Sequence, residues 1–400
     1  MPGPGAYLYG EEERYEVEDV LSSGYLSRNG KEDDPKFKRK VINLETEFAK
    51  KMGARYCVAV SSGTGALMAA LVAIGLQPGD EVLVPGYTFI ASMSSVIAVG
   101  GIPVLVEVDD SLTMDPADAE RKISPRTRVM LPVHMLGNPC DMGRIQSLAE
   151  KHHLRIIEDC CQALGGSYQG RKLGTIGALG TFSLNSYKVI NTGEGGLLVT
   201  SNKALYKRAF AFHDQGHLPL RKGVEIGKRR ILGINMRMNE LTGAFALGQL
   251  KKLDLILETL RQKKAKFKDA IQASGMRNLC FRRINDLGEC ATLLTLQFED
   301  EAVTQKVVQV LQTKTVYNSG WHVYNNMEQL LAYRDADGKR LYRKNMLPQT
   351  DSILRRSINL SVGVVDPGLG ADFGINILSP DEEIDRKAEE FIRLVKPIIG

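Results

Sequence analysis

Short apolar runs alternate with segments of helical character between residues 57 and 159. We interpret the apolar runs as strands at 57–60, 81–84, 104–108, 129–133 and 154–159. Strands that are apolar at nearly every position are typical of sheets buried on both faces, and parallel strands need helical crossovers between them. The alternation therefore predicts an α/β fold in which helices flank a mostly parallel central sheet.

One part of this region, residues 82–106, carries no charge and is long enough to span a membrane. It contains residues that interrupt regular structure, namely Pro85, Gly86, Gly100, Gly101 and Pro103. Because these residues divide the stretch, we predict a strand, a helix and a second strand rather than a membrane span.

The pattern changes near residue 250, where a long helix of mixed charge, predicted over 241–274, leads into short strands and helices. A chain of 400 residues is too long for one small core. We predict a large domain over residues 1–250 and a smaller α+β domain over residues 251–400. Ser379-Pro380-Asp381-Glu382 predicts a capping box at the start of the last helix.

Charge and cysteine usage restrict the partners and the compartment. The 52 basic and 47 acidic residues are mixed along the chain and give a net charge of +5, so we predict no nucleic-acid partner. The six cysteines lack CxxC spacing, which indicates free thiols in a reducing cytoplasm.

The first five residues do not resemble a secretory signal. The histidines lack the spacing of metal ligands, so we predict no metal site.

The segment Ser62-Gly63-Thr64-Gly65 lies between a predicted strand and a predicted helix. The first N–H groups of a helix have no acceptor within the helix, and they carry partial positive charge. Glycine allows an anion to approach and Thr64 adds a hydroxyl donor, so this segment is a candidate phosphate site. The alternative is an ordinary helix N-cap, a position where serine and threonine are common.

Two charged residues follow predicted strands. Asp159 ends the run at 154–159, and ligand sites of parallel sheets collect at the carboxyl ends of strands. Lys188 follows an apolar run at 180–184 and precedes a glycine-rich turn. Partial burial lowers the pKa of a lysine and allows it to form a Schiff base. The alternatives are a helix cap for Asp159 and a solvated charge for Lys188.

Two further residues have properties that suit a flat, phosphorylated cofactor. Ser183 lies five residues before Lys188 and offers a hydroxyl to a phosphate. Phe89, in Pro85-Gly86-Tyr87-Thr88-Phe89, offers a ring that can stack on a cofactor, and the alternative is a core aromatic residue.

The order of these segments is more specific than any one of them. In sequence they are Ser62-Gly63-Thr64, Pro85…Thr88-Phe89, Pro132-Val133-His134, Glu158-Asp159…Gln162, Phe182-Ser183…Lys188…Gly193-Glu194-Gly195-Gly196 and Gly233-Ile234-Asn235-Met236-Arg237-Met238. The series resembles the DegT/DnrJ/EryC1/StrS family of sugar aminotransferases, which depend on pyridoxal 5'-phosphate (PLP). The resemblance implies a type I aspartate-aminotransferase fold whose large domain binds PLP.

The resemblance implies a role for each matching residue around the cofactor ring. Lys188 bonds covalently to the PLP aldehyde and is the catalytic residue. Asp159 pairs with the pyridinium nitrogen, Phe89 stacks on the ring, and Gln162 lies beside the ring near its hydroxyl.

The phosphate of PLP is implied to lie against Gly63, Thr64 and Ser183. Relatives use the asparagine at the position of Asn235 to reach the phosphate in the neighbouring subunit. The resemblance therefore implies a homodimer with shared active sites.

The implied activity is transfer of an amino group from glutamate or glutamine to a keto-sugar, such as a nucleotide-linked keto-hexose, in amino-sugar biosynthesis. Related dehydratases carry histidine at the lysine position, so Lys188 argues against that branch. Alternative acceptors are a cyclitol ketone or a 3-deoxy-octulosonate-type sugar acid, the latter because the segment His213-Asp214-Gln215-Gly216-His217 is similar to enzymes of that kind. A non-catalytic sensor is a further alternative. The basic stretch 221–230 is a candidate contact for a substrate phosphate, or a solvated loop.

Overall fold

The computed structural model describes residues 3–31, 33–219, 229, 231–335 and 337–400. The strands are β1 (Tyr56–Val60), β2 (Glu81–Pro85), β3 (Ile102–Val106), β4 (Thr127–Met130), β5 (Arg155–Asp159), β6 (Ser167–Tyr168), β7 (Arg171–Lys172), β8 (Leu179–Ser183), β9 (Gly196–Thr200), β10 (Leu279–Phe281), β11 (Leu293–Phe298) and β12 (Ser357–Ser361). The helices are α1 (Glu11–Ser23), α2 (Lys40–Met52), α3 (Gly63–Ile74), α4 (Ala91–Ala98), α5 (Pro116–Arg121), α6 (Met142–Lys151), α7 (Lys203–His213), α8 (Glu240–Ala273), α9 (Glu301–Leu311), α10 (Glu328–Ala332), α11 (Pro348–Arg355) and α12 (Asp381–Ile399).

The central sheet of the described chain has seven strands in the order β1-β9-β8-β5-β4-β2-β3. Strand β9 is antiparallel to both of its neighbours, and the remaining pairs are parallel. The predicted α/β fold with a mostly parallel sheet is therefore confirmed. The strand predicted at 104–108 begins two residues earlier, at Ile102.

Both faces of the sheet are buried, which explains the continuous apolar runs. In β2, Leu83 contributes to the core on one face, whereas Val82 and Val84 contribute to the core on the other. Side chains of α2, α6 and α8 belong to the first core, and side chains of α3, α4 and α7 belong to the second. The uncharged stretch 82–106 forms β2, α4 and β3 inside this layered structure, as predicted. None of the helices within the described ranges has the length and apolar character needed to cross a bilayer.

A smaller antiparallel sheet, β10-β11-β12, lies in the C-terminal part of the chain. Helix α9 contacts this sheet, and α12 packs against α8 and α9. The predicted domain boundary at residue 250 falls within α8, and the division into 1–250 and 251–400 remains a proposal.

The predicted capping box at the last helix is wrong. Helix α12 begins at Asp381 with Pro380 at its N-cap, and no side chain caps it. Ser379 lies one position too early, and its hydroxyl instead accepts the N–H of Asn376 at 3.1 Å. The basic stretch 221–230 lies outside the described residues apart from residue 229.

The strand directions place several chain turns at one edge of the central sheet. Strands β1, β2, β5 and β8 all run in the same direction. Their carboxyl ends therefore bring Ser62, Asp159 and Ser183 to the same edge. This is the edge at which open α/β sheets bind ligands.

Candidate active site

A cavity of about 360 Å³ opens at the carboxyl edge of the sheet. Its wall includes every predicted site residue except Asn235, namely Gly63, Thr64, Phe89, Asp159, Gln162, Ser183 and Lys188. The structure thus brings together residues that lie up to 125 positions apart in the sequence, from Gly63 to Lys188.

Lys188 lies in the turn that follows β8, and its side chain is half-buried. Its N–H donates to the carbonyl of Asn185 at 2.9 Å, and within the described residues its amine has no hydrogen-bond or ion-pair partner. Burial lowers the pKa of Lys188 below its usual value, although the nearby Cys161, Asp159 and Asp366 favour the charged form. An amine that loses its proton more readily is a better nucleophile toward an aldehyde.

Asp159 is a buried carboxylate held in a fixed orientation. Its Oδ2 accepts a hydrogen bond from the hydroxyl of Ser92 at 2.7 Å, and its Oδ1 accepts the N–H of Cys161 at 3.0 Å. The hydroxyl of Ser92 is also within 2.8 Å of the hydroxyl of Thr88. These hydrogen bonds hold both oxygens of the carboxylate in place at the wall of the cavity.

The N-terminus of α3 lies at the cavity, close to Ser183 and Cys161. Ser62 is the N-cap of α3, and its hydroxyl accepts the N–H of Gly65 at 3.0 Å, which confirms the N-cap interpretation. The N–H groups of Gly63 and Thr64 precede it in the first turn, where no acceptor exists within the helix. A methyl group at Gly63 would lie 2.8 Å from Ser183 Cβ and 3.0 Å from Cys161 Sγ. Glycine therefore lets the start of α3 pack closely against Ser183 and Cys161, which places its first N–H groups and the hydroxyls of Thr64 and Ser183 around one cavity, an arrangement that suits a phosphate.

One part of the cavity wall combines residues from distant segments of the chain. Phe89 is 40% exposed at the cavity, and the centroid of its ring lies 5.6 Å from that of His322. The side chain of Gln162 is oriented by the N–H of Leu136, which donates to Gln162 Oε1 at 2.9 Å. An exposed aromatic face beside an oriented amide is suitable for a flat heteroaromatic ring.

Asn235 does not line this cavity. It is exposed, it forms an isolated antiparallel bridge with Asp214, and its Oδ1 accepts the N–H of Arg237 at 3.2 Å. The structure of one chain therefore leaves the predicted contact across a subunit boundary as a proposal.

The sequence motifs did not indicate the cavity residues from the C-terminal part of the chain, which include Trp321, His322 and Asp366. Burial lowers the pKa of His322 to about 3, so its imidazole is neutral, and within the described residues its buried Nδ1 has no hydrogen-bond partner. Trp321 is the single tryptophan of the chain and is 62% exposed at the cavity mouth. In the sequence, the one feature of this segment that could have drawn attention is the single tryptophan of the chain next to a histidine.

Behind Asp159 lies a buried cluster of His134, Glu158 and Cys160, whose potential ligand atoms lie within 4.8 Å of one another. These groups are already engaged within the protein. Glu158 Oε2 accepts the N–H of Gly174 at 2.8 Å, and His134 Nδ1 accepts the N–H of Cys140 at 3.0 Å. Burial raises the pKa of the Cys160 thiol to about 12, which disfavours a metal-binding thiolate. We interpret the cluster as support for β5.

Residues 8–365 match the model of the DegT/DnrJ/EryC1/StrS aminotransferase family. The chain belongs to this family. The resemblance inferred from the sequence motifs is therefore confirmed, and a match over most of the chain agrees with the observed fold.

Two curated proteins that are similar to this chain are named after different compounds. GDP-perosamine synthase of Escherichia coli O157:H7 is 37% identical to this chain over 64% of this chain and 67% of its own length. L-glutamine:2-deoxy-scyllo-inosose aminotransferase of Micromonospora echinospora is 37% identical over 65% of this chain and 63% of its own length. The chain thus spans about two thirds of the length of these curated relatives.

A solved structure extends the likeness to the fold as a whole. NtdA from Bacillus subtilis, with bound cofactor PMP, is 25% identical and has a TM-score of 0.76. The likeness covers 98% of this chain and 84% of that chain. The predicted fold class is therefore confirmed over nearly the whole chain.

Proposed function

We propose that this chain is a PLP-dependent aminotransferase that moves an amino group from glutamate or glutamine to a keto-sugar in amino-sugar biosynthesis. One observation carries this proposal: the half-buried amine of Lys188 shares a cavity with the carboxylate of Asp159 and the N-terminus of α3. The three groups match the aldehyde, the ring nitrogen and the phosphate of PLP, respectively.

The cavity residues have distinct tasks in this reaction. When bound, PLP withdraws electrons from the carbon that carries the amino group. Asp159 holds a proton on the ring nitrogen, because its fixed negative charge stabilises the protonated form. Lys188 would hold the cofactor through its amine, and the same amine, when free, would be the group that moves a proton between the donor and the cofactor. Phe89 covers one face of the ring.

The acceptor contacts the wall formed by Trp321, His322 and Asp366. An indole face packs against the apolar face of a sugar or cyclitol ring, and a carboxylate accepts hydrogen bonds from hydroxyls. The neutral imidazole of His322 offers either a donor or an acceptor to a further hydroxyl or carbonyl. This wall supports a polyhydroxylated ketone, and a nucleotide-linked keto-hexose, a cyclitol ketone and a 3-deoxy-octulosonate-type acid are the candidate acceptors.

The test is a substrate panel with two donors, glutamate and glutamine. The acceptors are nucleotide-linked 4-keto and 3-keto hexoses, 2-deoxy-scyllo-inosose and a keto derivative of 3-deoxy-octulosonate, and loss of donor is measured. We expect the donor alone to convert PLP to its pyridoxamine form, and one acceptor class to restore PLP. Binding of PLP without any conversion by a donor would instead support the sensor alternative.

We further propose a homodimer in which Asn235 completes the phosphate site of the neighbouring subunit. The exposure of Asn235 and its position outside its own cavity are compatible with this role. A heterodimer of one Lys188→Ala and one Asn235→Ala protomer, made by co-expression with two tags, then has one intact site. We expect about half of the wild-type activity, because twofold symmetry gives each dimer two sites.

The matching control is the pair of single-variant homodimers, which have no intact site. Should the heterodimer be no more active than the Asn235→Ala homodimer, Asn235 does not act across the subunit boundary. A cytoplasmic location is also proposed, since all six cysteines are free thiols.

A further inference from the structure

The N-terminal segment lies directly against the turn that carries Lys188. The N–H of Gly3 donates to the carbonyl of Ser186 at 2.7 Å. A methyl group at Gly3 would lie 2.4 Å from the carbonyl carbon and oxygen of Tyr187 and 2.5 Å from the carbonyl oxygen of Lys188. The two backbones are therefore in contact, and only glycine allows this approach.

A second glycine makes a similar approach two residues later. A methyl group at Gly5 would lie 2.8 Å from the carbonyl oxygen of Val189 and 2.3 Å from Gln249 Oε1. Residues 3–9, which we call the N-terminal strap, thus follow the back of the turn over residues 186–191. None of the residues of the strap lines the cavity.

Gln249 of α8 joins the strap to the end of the turn. Its buried side-chain Oε1 accepts the N–H of Asn191 at 3.2 Å. Its Nε2 donates to the carbonyl of Gly5 at 3.3 Å and to Glu13 Oε1 at 2.7 Å. The hydroxyl of Tyr9 donates to Asn191 Oδ1. Both ends of the turn, at Ser186 and Asn191, are therefore fixed to the strap or to α8.

We infer that the strap and Gln249 position the amine of Lys188, and this inference rests on the proposed function of Lys188. Because the amine has no partner of its own among the described residues, its position depends on the backbone of the turn. A displacement of about 1 Å in a reacting group lowers rates by about 10²-fold. Gly3, Gly5 and Gln249 are positioning residues, since they act through the turn and do not line the cavity.

The first measurement uses the protein without PLP, so that it does not depend on catalysis. Acetylation of Lys188 by acetic anhydride is followed over a range of pH by mass spectrometry of the peptide that contains it. Burial lowers the pKa of Lys188 in the wild type. In Gly3→Ala and Gly5→Ala, we expect that pKa to rise toward its usual value by about 0.5 to 1, because displacement of the turn exposes the amine.

The second measurement uses the PLP-loaded protein. We expect the same variants to shift the pH at which the visible absorbance of the bound cofactor changes, and to slow its conversion by glutamate by about tenfold or more. Gly143→Ala in α6 is the matched control, because Gly143 is exposed and lies outside the strap, and a methyl group there would meet only the hydroxyl of Tyr168 and Asp141 Oδ1, at 3.3 and 3.6 Å. The control is expected to behave as the wild type in both measurements.

Tyr9→Phe keeps the inference testable if the glycine variants do not fold. It removes only the hydroxyl that bonds to Asn191, and we expect a smaller change of the same sign in the pKa of Lys188. Wild-type titration of Lys188 in Gly3→Ala, Gly5→Ala and Tyr9→Phe would overturn the inference. Failure of the wild type to bond PLP at Lys188 would instead overturn the proposed function, and the acetylation result would still decide the role of the strap.

Discussion

Replacement of Lys188 by alanine is expected to lower the rate of amino transfer by at least about 10³-fold, because the variant lacks both the cofactor-holding amine and the proton carrier. The methyl side chain of alanine leaves the cavity wall otherwise intact. The rate is measured as conversion of bound PLP by glutamate or glutamine in a single turnover. Borohydride reduction of the wild type, followed by peptide mass spectrometry, should fix the cofactor to the peptide that contains Lys188.

Lys207→Ala provides the control for this prediction. Lys207 is an exposed lysine of α7 and does not line the cavity, so its loss is expected to leave the rate unchanged. A Lys188→Ala protein that retains the wild-type rate would refute the assignment of the catalytic residue, whatever the acceptor.

Asp159→Asn is expected to lower the rate by about 10²–10³-fold, because the amide keeps the shape of the side chain but removes the charge that stabilises the protonated ring nitrogen. In the orientation of the amide that keeps the N–H of Cys161 bonded to Oδ1, the NH2 group replaces Oδ2 and can donate to the hydroxyl of Ser92. The loss should therefore appear in the single-turnover rate while the melting temperature of the protein changes little.

Ser92→Ala separates the charge of Asp159 from its orientation. The variant keeps the carboxylate but removes the 2.7 Å hydrogen bond to its Oδ2. We expect a smaller loss, about tenfold, which corresponds to one hydrogen bond to a charged group. If Ser92→Ala and Asp159→Asn were equally impaired, the orientation of the carboxylate rather than its charge would be the important property.

The alternation of apolar runs was sufficient to predict the central sheet, because a strand that is buried on both faces has apolar side chains at nearly every position. Strand β2 and helix α4 illustrate this, since Pro85 and the glycines at 100 and 101 separate the elements where the sequence indicated. The sequence predicted the ends of the elements less accurately. The predicted capping box failed because the chain turned at Asn376 and used the hydroxyl of Ser379 before α12 began.

Some residues of the site were predicted from the sequence and others were not. Lys188 and Asp159, taken alone, were compatible with a solvated charge and a helix cap, and only the order of motifs along the chain indicated a shared cavity. Trp321, His322 and Asp366 carry no spacing signal, because the chain returns to the cavity from the C-terminal part of the fold.

The sequence by itself determined the layered α/β architecture, the family and the candidate residues for binding PLP, because these depend on local composition and on ordered motifs. Only the tertiary structure decided which side chains of the C-terminal part line the cavity and that Gly3 and Gly5 contact the turn of Lys188. Such contacts join residues far apart along the chain. Their geometry depends on the path of the whole backbone, which cannot be predicted from a local pattern of residues.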